Sequence, residues 1–249
     1  MIICSLIVVH YAKPLHSSRQ FDAVYLINLA RRPDRFNSFL QVYKQSDMHH
    51  HPIIRMSAID GYKLNLKSVP LTDLAKLEMK QLETTGFRYK HYQLTKGAIG
   101  CYLSHIKIWE RMLVKQHSQV IVFEDDARIP PNTFHQVKQF MKTIPDDWDI
   151  ILLGKYCNDC HDMGHYHKIN RFILLHAYII RATTVEKIIN MGNIFPISQQ
   201  LDAYLSEISD VINIYSPKYN IVSQSRSRTD IQAPIIKSKL NDKRLLVSH

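Results

Sequence analysis

Three consecutive carboxylates, Glu124, Asp125 and Asp126, follow directly on the apolar run of residues 120–123. Like charges this close repel, so the cluster calls for a positive partner. Where a buried strand of a parallel sheet ends, a ligand crevice opens, and a bound cation is such a partner. If the strand continues through the cluster, Glu124 and Asp126 share one face, about 7 Å apart along the chain, and Asp125 points the other way. Oxygen donors of this kind suit Mn²⁺ or Mg²⁺, which bridge carboxylate and phosphate. Asp126 is the first expected ligand and Glu124 the second; the competing reading is a solvated acidic turn. A second group is Cys157-x-x-Cys160 followed by His161, with His165 and His167 behind it. That spacing fits half a zinc site, a redox pair or a haem attachment. No second CxxC completes a four-thiolate site, and a plain loop is the favoured reading.

The elements that must position these residues alternate in type. Residues 21–29 form a β-rich run that stops before Pro33, which suits the first turn of a helix carrying Phe36, Phe39, Leu40 and Tyr43. Residues 52–59 read as a second strand closed by Asp60-Gly61, so the chain opens as β-α-β. Residues 69–85 are expected to be helical. Thr95 caps a longer helix with Ile99, Tyr102, Leu103, Ile106, Trp109 and Leu113 on one stripe. Residues 119–123 and 148–153 read as buried strands, with 131–143 a helix between them. Then follow a strand over 172–180, helices over 184–191 and 198–208, and a strand at 211–215. The pattern predicts one α/β domain over residues 21–223 with a mostly parallel central sheet flanked by helices. Residues 1–20 are expected to be an N-terminal extension and residues 224–249 a basic tail or flap.

A chain of 249 residues with 45% hydrophobic and 22% charged residues is ordinary for a globular protein. Its formal charge of +10 favours acidic partners: phosphates, anionic membrane surfaces, acidic glycans or nucleic acid. No RNP, helix-turn-helix, zinc-finger or Walker-type spacing supports nucleic acid, which is not expected as a partner. Four cysteines are too few for a disulfide scaffold. The apolar residues 1–9 are about half the length of a membrane span and lack a positively charged start. A cytoplasmic or membrane-peripheral location is the expectation.

Four segments in order carry a resemblance: Ile27-Asn28-Leu29-Ala30-Arg31-Arg32-Pro33-Asp34-Arg35, then Ala58-Ile59-Asp60-Gly61, then residues 97–105 (GAIGCYLSH), then FEDDARI. With them the chain resembles glycosyltransferase family 25, which includes lipopolysaccharide-type and collagen hydroxylysine β-galactosyltransferases. Later pieces are similar too: His176-Ala177-Tyr178, Gln200-Leu201-Asp202 and Ser227-Arg228-Thr229-Asp230-Ile231. The resemblance implies a GT-A-like fold and an inverting, metal-dependent hexosyltransferase. Such an enzyme takes galactose or glucose from a UDP-sugar to a hydroxyl of a glycan or protein acceptor. The DxD-like metal motif here reads ExD.

Under that reading Asn28, Arg31 and Arg35 lie where nucleotide and diphosphate pass, and Arg35 neutralises phosphate or pairs with an acid. Asp60, with Ala58 and Gly61, contacts uracil or ribose or else makes a simple Asp-Gly turn. Gly97 and Gly100 allow close backbone approach, and Ser104 and His105 follow one turn on. His105 is a donor-site residue or a satisfied core histidine. Inversion needs a base apart from the metal pair, and Asp202 is the residue expected to serve, with Asp125 acting on the donor sugar. Where the family often has glycine or serine, then threonine or alanine, before the tyrosine, this chain has His176-Ala177. That difference leaves room for a module that keeps the fold and has lost turnover, used for binding or adhesion.

Overall fold

The structure is a computed structural model that describes residues 21–225 and 230–231. The expected N-terminal extension lies outside the described residues, as do residues 226–229 and 232–249 of the expected tail. The chain runs β1 (Ala23–Asn28), α1 (Pro33–Lys44), β2 (Ile53–Ser57), α2 (Asp73–Thr85), α3 (Lys96–Val114), β3 (Gln119–Glu124), β4 (Ala127–Arg128) and α4 (Thr133–Met141). It continues β5 (Ile150–Leu152), β6 (Tyr156–Asp162), β7 (His167–Ile173), β8 (Ala177–Arg181), α5 (Ala182–Met191), α6 (Leu201–Glu207), β9 (Ile214–Ser216) and β10 (Ser223–Gln224). Local chemistry sets the helix ends. Pro33 starts α1, the Thr95 hydroxyl accepts from Ala98 N to cap α3, and Thr72 caps α2 in the same way.

Eight strands form one sheet in the order β2-β1-β3-β8-β5-β9-β7-β6. The expected domain, a central sheet flanked by helices, is the one observed, and its sheet is mixed. Strands β2, β1 and β3 are parallel, as β-α-β units require. Strand β8 runs antiparallel to both β3 and β5, and β7 is antiparallel to both β9 and β6. Parallel pairing is therefore limited to β2-β1-β3 and to β5 with β9, and the sheet is not mostly parallel as expected. One cause is local. The apolar run 172–180 is two strands rather than one, broken at Leu174, whose φ of 78° cannot continue a strand.

Alternate side chains of the central strands serve two cores. Val120 and Val122 face the layer of α3, α5 and α6, packing with Tyr102, Trp109, Ile188 and Tyr204. Ile121 and Phe123 face α1 and α4, packing with Phe39 and Val137. Each such side chain, fully buried, contributes roughly 1.5–3 kcal/mol. This parity decides where the carboxylates after Phe123 point.

The CxxC segment, read as a loop, is part of β6, and Cys157 and Cys160 are joined in a disulfide. Strand β6 is the outer strand of the sheet, and six of its seven residues are exposed. It therefore carries no apolar alternation from which a strand could be read.

Candidate functional site

Strands β1, β2 and β3 end side by side, and a cleft of about 310 Å³ opens beyond them, lined by Arg31, Ala58, Asp60 and Lys63 among others. An inner pocket of about 60 Å³ shares the Arg31, Ala58 and Asp60 wall and reaches Asn28, Cys101, Ser104, Glu124 and Asp125. It has room for water or an ion.

Parity places the acidic triplet. Glu124 continues the Val120 and Val122 series and points to α3, where its Oε1 lies 3.1 Å from His105 Nε2 and 3.6 Å from Cys101 Sγ. Asp125 continues the other series and points to α1. The register that pairs Ile27 with Glu124 sets Asn28 beside Asp125. Asn28 Nδ2 donates to Asp125 Oδ2 at 2.6 Å, and Arg35 Nη1 donates to Asp125 Oδ1 at 2.9 Å. Strand β3 ends at Glu124, so Asp126 lies in a turn and does not form a strand-spaced pair with Glu124. Asp126 Oδ2 accepts from Arg35 Nη2 at 3.3 Å and from Gln224 Nε2 at 3.2 Å, while its buried Oδ1 has no hydrogen-bond partner.

Charge is unevenly balanced across these groups. Burial, then the Glu124 charge, pushes the Asp126 carboxyl up to about 7. Burial also raises Asp125, against the opposing pull of Arg35 and Asn28. Burial pushes Glu124 up too, but the His105 hydrogen bond and charge outweigh it and hold the carboxyl below its usual range. Cys101, His105 and Glu124 together form a cluster able to coordinate a metal ion.

Three arginines converge at the mouth. Arg31 Nη1 lies 2.7 Å from Asp230 Oδ1, Arg32 Nη1 bonds Asp230 Oδ2, and Arg35 Nη1 is 3.9 Å from the same oxygen. Arg31 Nε also bonds Asp60 Oδ2 at 2.9 Å, and Asp60 Oδ1 accepts from Tyr62 N to cap a short 3-10 turn. The Asp-Gly turn and the arginine contact therefore coexist at Asp60. Behind this wall Gly61 and Gly100 meet backbone to backbone: a Cβ on Gly100 would lie 2.4 Å from Ile59 O. The Ser104 hydroxyl, accepting from Ile59 N at 2.8 Å, ties the same loop to α3.

Other expected residues already have partners. Asn28 is saturated: besides Asp125 it donates to Arg32 O and accepts from Arg55 Nη2 at 2.5 Å. His105 is fully buried, with Nδ1 2.9 Å from Tyr178 Oη. Asp202, expected as the base, lies in the first turn of α6 and accepts from Ala203 N at 2.9 Å and Leu174 N at 3.1 Å. It does not line the cleft. Sequence reasoning missed Arg55 and Gln224. Arg55 follows from strand pairing, since the β1–β2 register sets it against Leu26, whereas Gln224 carries no local signal.

With the site in view, the comparisons are specific. The family model described as glycosyltransferase family 25 (LPS biosynthesis protein) matches residues 21–199, and the chain belongs to that family. Its mixed α/β architecture, a central sheet flanked by helices, agrees in outline with the resemblance. A cattle protein named probable inactive glycosyltransferase 25 family member 3 is 37% identical over 142 residues, covering 56% of this chain and 22% of the relative. The human inactive glycosyltransferase 25 family member 3 is 33% identical over 138 residues, 54% of this chain and 22% of that one. Mouse procollagen galactosyltransferase 2 is 31% identical over 144 residues, 54% of this chain and 21% of that one. The matched region spans about a fifth of the length of these relatives.

These relatives correct the expectation of an active hexosyltransferase: mammalian family members at 33–37% identity bear inactive names. Among the described residues no helix is long and apolar enough to cross a membrane.

Proposed function

We propose that this chain is a non-catalytic binding module of its family, holding the nucleoside-diphosphate part of an activated sugar without transferring the sugar. The observation that carries the reading is the convergence of Arg31, Arg32 and Arg35 on one carboxylate, Asp230, at the cleft mouth. Guanidinium groups gathered on a single acid make an anion site, and phosphate oxygens are the ligands they match best. The cleft beyond them, walled by Ala58 and Asp60, is of the size a nucleoside fills.

The donor chemistry also supports a divalent cation, Mn²⁺ or Mg²⁺, with the ligand. Asp126 Oδ1 is buried and unpaired, and burial, then the Glu124 charge, pushes its carboxyl up to about 7. Asp126 would hold the ion, and the ion would supply charge neutralisation between carboxylate and diphosphate.

The test is calorimetric titration with UDP, UDP-galactose and UDP-glucose, with and without Mn²⁺, alongside chromatographic detection of released or transferred sugar. Saturable binding with no sugar release is expected. Metal-dependent release above the buffer rate would overturn the non-catalytic half. Failure of every nucleotide to bind would overturn the rest.

A further inference from the structure

Cys101 and His105 are four residues apart on α3, so both side chains leave the same face of the helix. That face meets the end of β3, where Glu124 Oε1 is 3.1 Å from His105 Nε2 and 3.6 Å from Cys101 Sγ. All three ligand atoms lie within 4.8 Å of one another. A tetrahedral zinc ion, with bonds of about 2.0–2.3 Å, spaces its ligands about 3.3–3.8 Å apart. The three atoms thus stand close to coordination spacing. We propose that Cys101, His105 and Glu124 form a zinc site.

The donor set decides the metal. A thiolate, an imidazole and a carboxylate suit Zn²⁺, whereas Mg²⁺ and Mn²⁺ favour oxygen donors throughout. The imidazole is already oriented from behind. His105 Nδ1 is 2.9 Å from Tyr178 Oη, which accepts from Trp109 Nε1 at 3.1 Å. A metal-bound histidine regularly gives its second nitrogen such a partner, which fixes the ring and its tautomer. All three rings are almost completely buried, so Nε2 is held in place without further loss of freedom.

The fourth position is open. Cys101 and Glu124 both line the inner pocket of about 60 Å³, enough for a water or a ligand atom on the ion. Three protein ligands and one exchangeable position is the arrangement of zinc sites that act on or bind something. The site needs no nucleotide, so it stands or falls apart from the nucleotide reading. Without metal, the same contacts are a hydrogen-bonded cluster in which Cys101 and His105 both serve Glu124.

The experiment uses the chelator-treated full chain without reductant, so that the Cys157–Cys160 disulfide keeps those sulfurs from the metal. Zn²⁺ affinity is measured against a chromophoric competitor, and Co²⁺ is added as a spectroscopic substitute. A single tight zinc is expected, with tetrahedral cobalt bands and a near-ultraviolet sulfur-to-cobalt band. Cys101→Ser should abolish the sulfur band and weaken zinc roughly tenfold or more, and Glu124→Gln should weaken it comparably. No zinc uptake, cobalt without the sulfur band, or a sulfur band that persists in Cys101→Ser would each overturn the site. The wild-type cobalt spectrum decides the matter even if a variant folds poorly.

Discussion

Arg35 Nη1 meets Asp125 Oδ1 at 2.9 Å, joining the first turn of α1 to the residue that follows β3. The same guanidinium reaches Asp126, so one side chain offsets two consecutive buried carboxylates. Removing it leaves both without their main cation. Arg35→Ala is expected to cost about 3 kcal/mol, read by urea denaturation. Arg35→Lys should recover only part of this, because a point charge cannot serve two carboxylates as a planar fork does. A loss under about 0.5 kcal/mol for the alanine variant would show that the pairing is worth no more than a surface contact.

Asp126 supplies a pH signature. Its carboxyl is raised to about 7 in the fold from an unfolded value of 3.8. The folded state therefore binds a proton the unfolded chain releases. The associated stability is complete below about pH 4 and is lost as pH rises through about 7. Asp126→Asn mimics the protonated form, so in chelator it should stabilise by roughly 1–3 kcal/mol at pH 8 and change little at pH 4. Equal effects at both values would mean the carboxyl titrates normally. Added Mn²⁺ should stabilise the wild type at pH 8 and leave the asparagine variant unmoved.

Much of this arrangement was legible in the sequence because it rests on local patterns. The buried run before Glu124, the Thr95 cap and the glycines of GAIG are each short-range signals, and each forms the expected element. The two-residue alternation also orients Glu124 and Asp125 correctly, one to each layer. It fails at Asp126 because β3 ends at Glu124, two residues earlier than the alternation assumed. The antiparallel pairings were hidden for different reasons. Strand β6 is exposed along nearly its whole length, and the break at Leu174 falls inside a continuous apolar run. The contact of Asp230 with Arg31 and Arg32 spans about 200 residues of chain, a distance no local pattern encodes.

Asp202 is held by the backbone in this fold. Its carboxylate accepts from Ala203 N, at the start of α6, and from Leu174 N, in the turn where φ reaches 78°. It thus supports a backbone conformation that costs a leucine roughly 1–2 kcal/mol. Asp202→Asn turns an amide N–H₂ toward one of these donors. A loss of about 1–2 kcal/mol is expected in urea denaturation, with nucleotide binding unchanged. Unchanged stability with binding abolished would return Asp202 to the ligand site.

Asp230 stands where the proposed phosphate would stand. Its carboxylate is drawn below the usual range: burial raises it, but the Arg31 hydrogen bond and the charges of Arg32 and Arg31 outweigh burial. A phosphate ligand must therefore displace an ionised group already paired with two guanidiniums. Asp230→Asn removes the competitor's charge and leaves the arginines in place. Affinity for UDP or inorganic pyrophosphate should rise roughly fivefold to tenfold, most strongly at low salt. Stability should change by about 1 kcal/mol or less, since the arginines are partly exposed. A fall in affinity would instead make Asp230 a residue that orders Arg31 and Arg32 for the ligand. That result would end the competition reading.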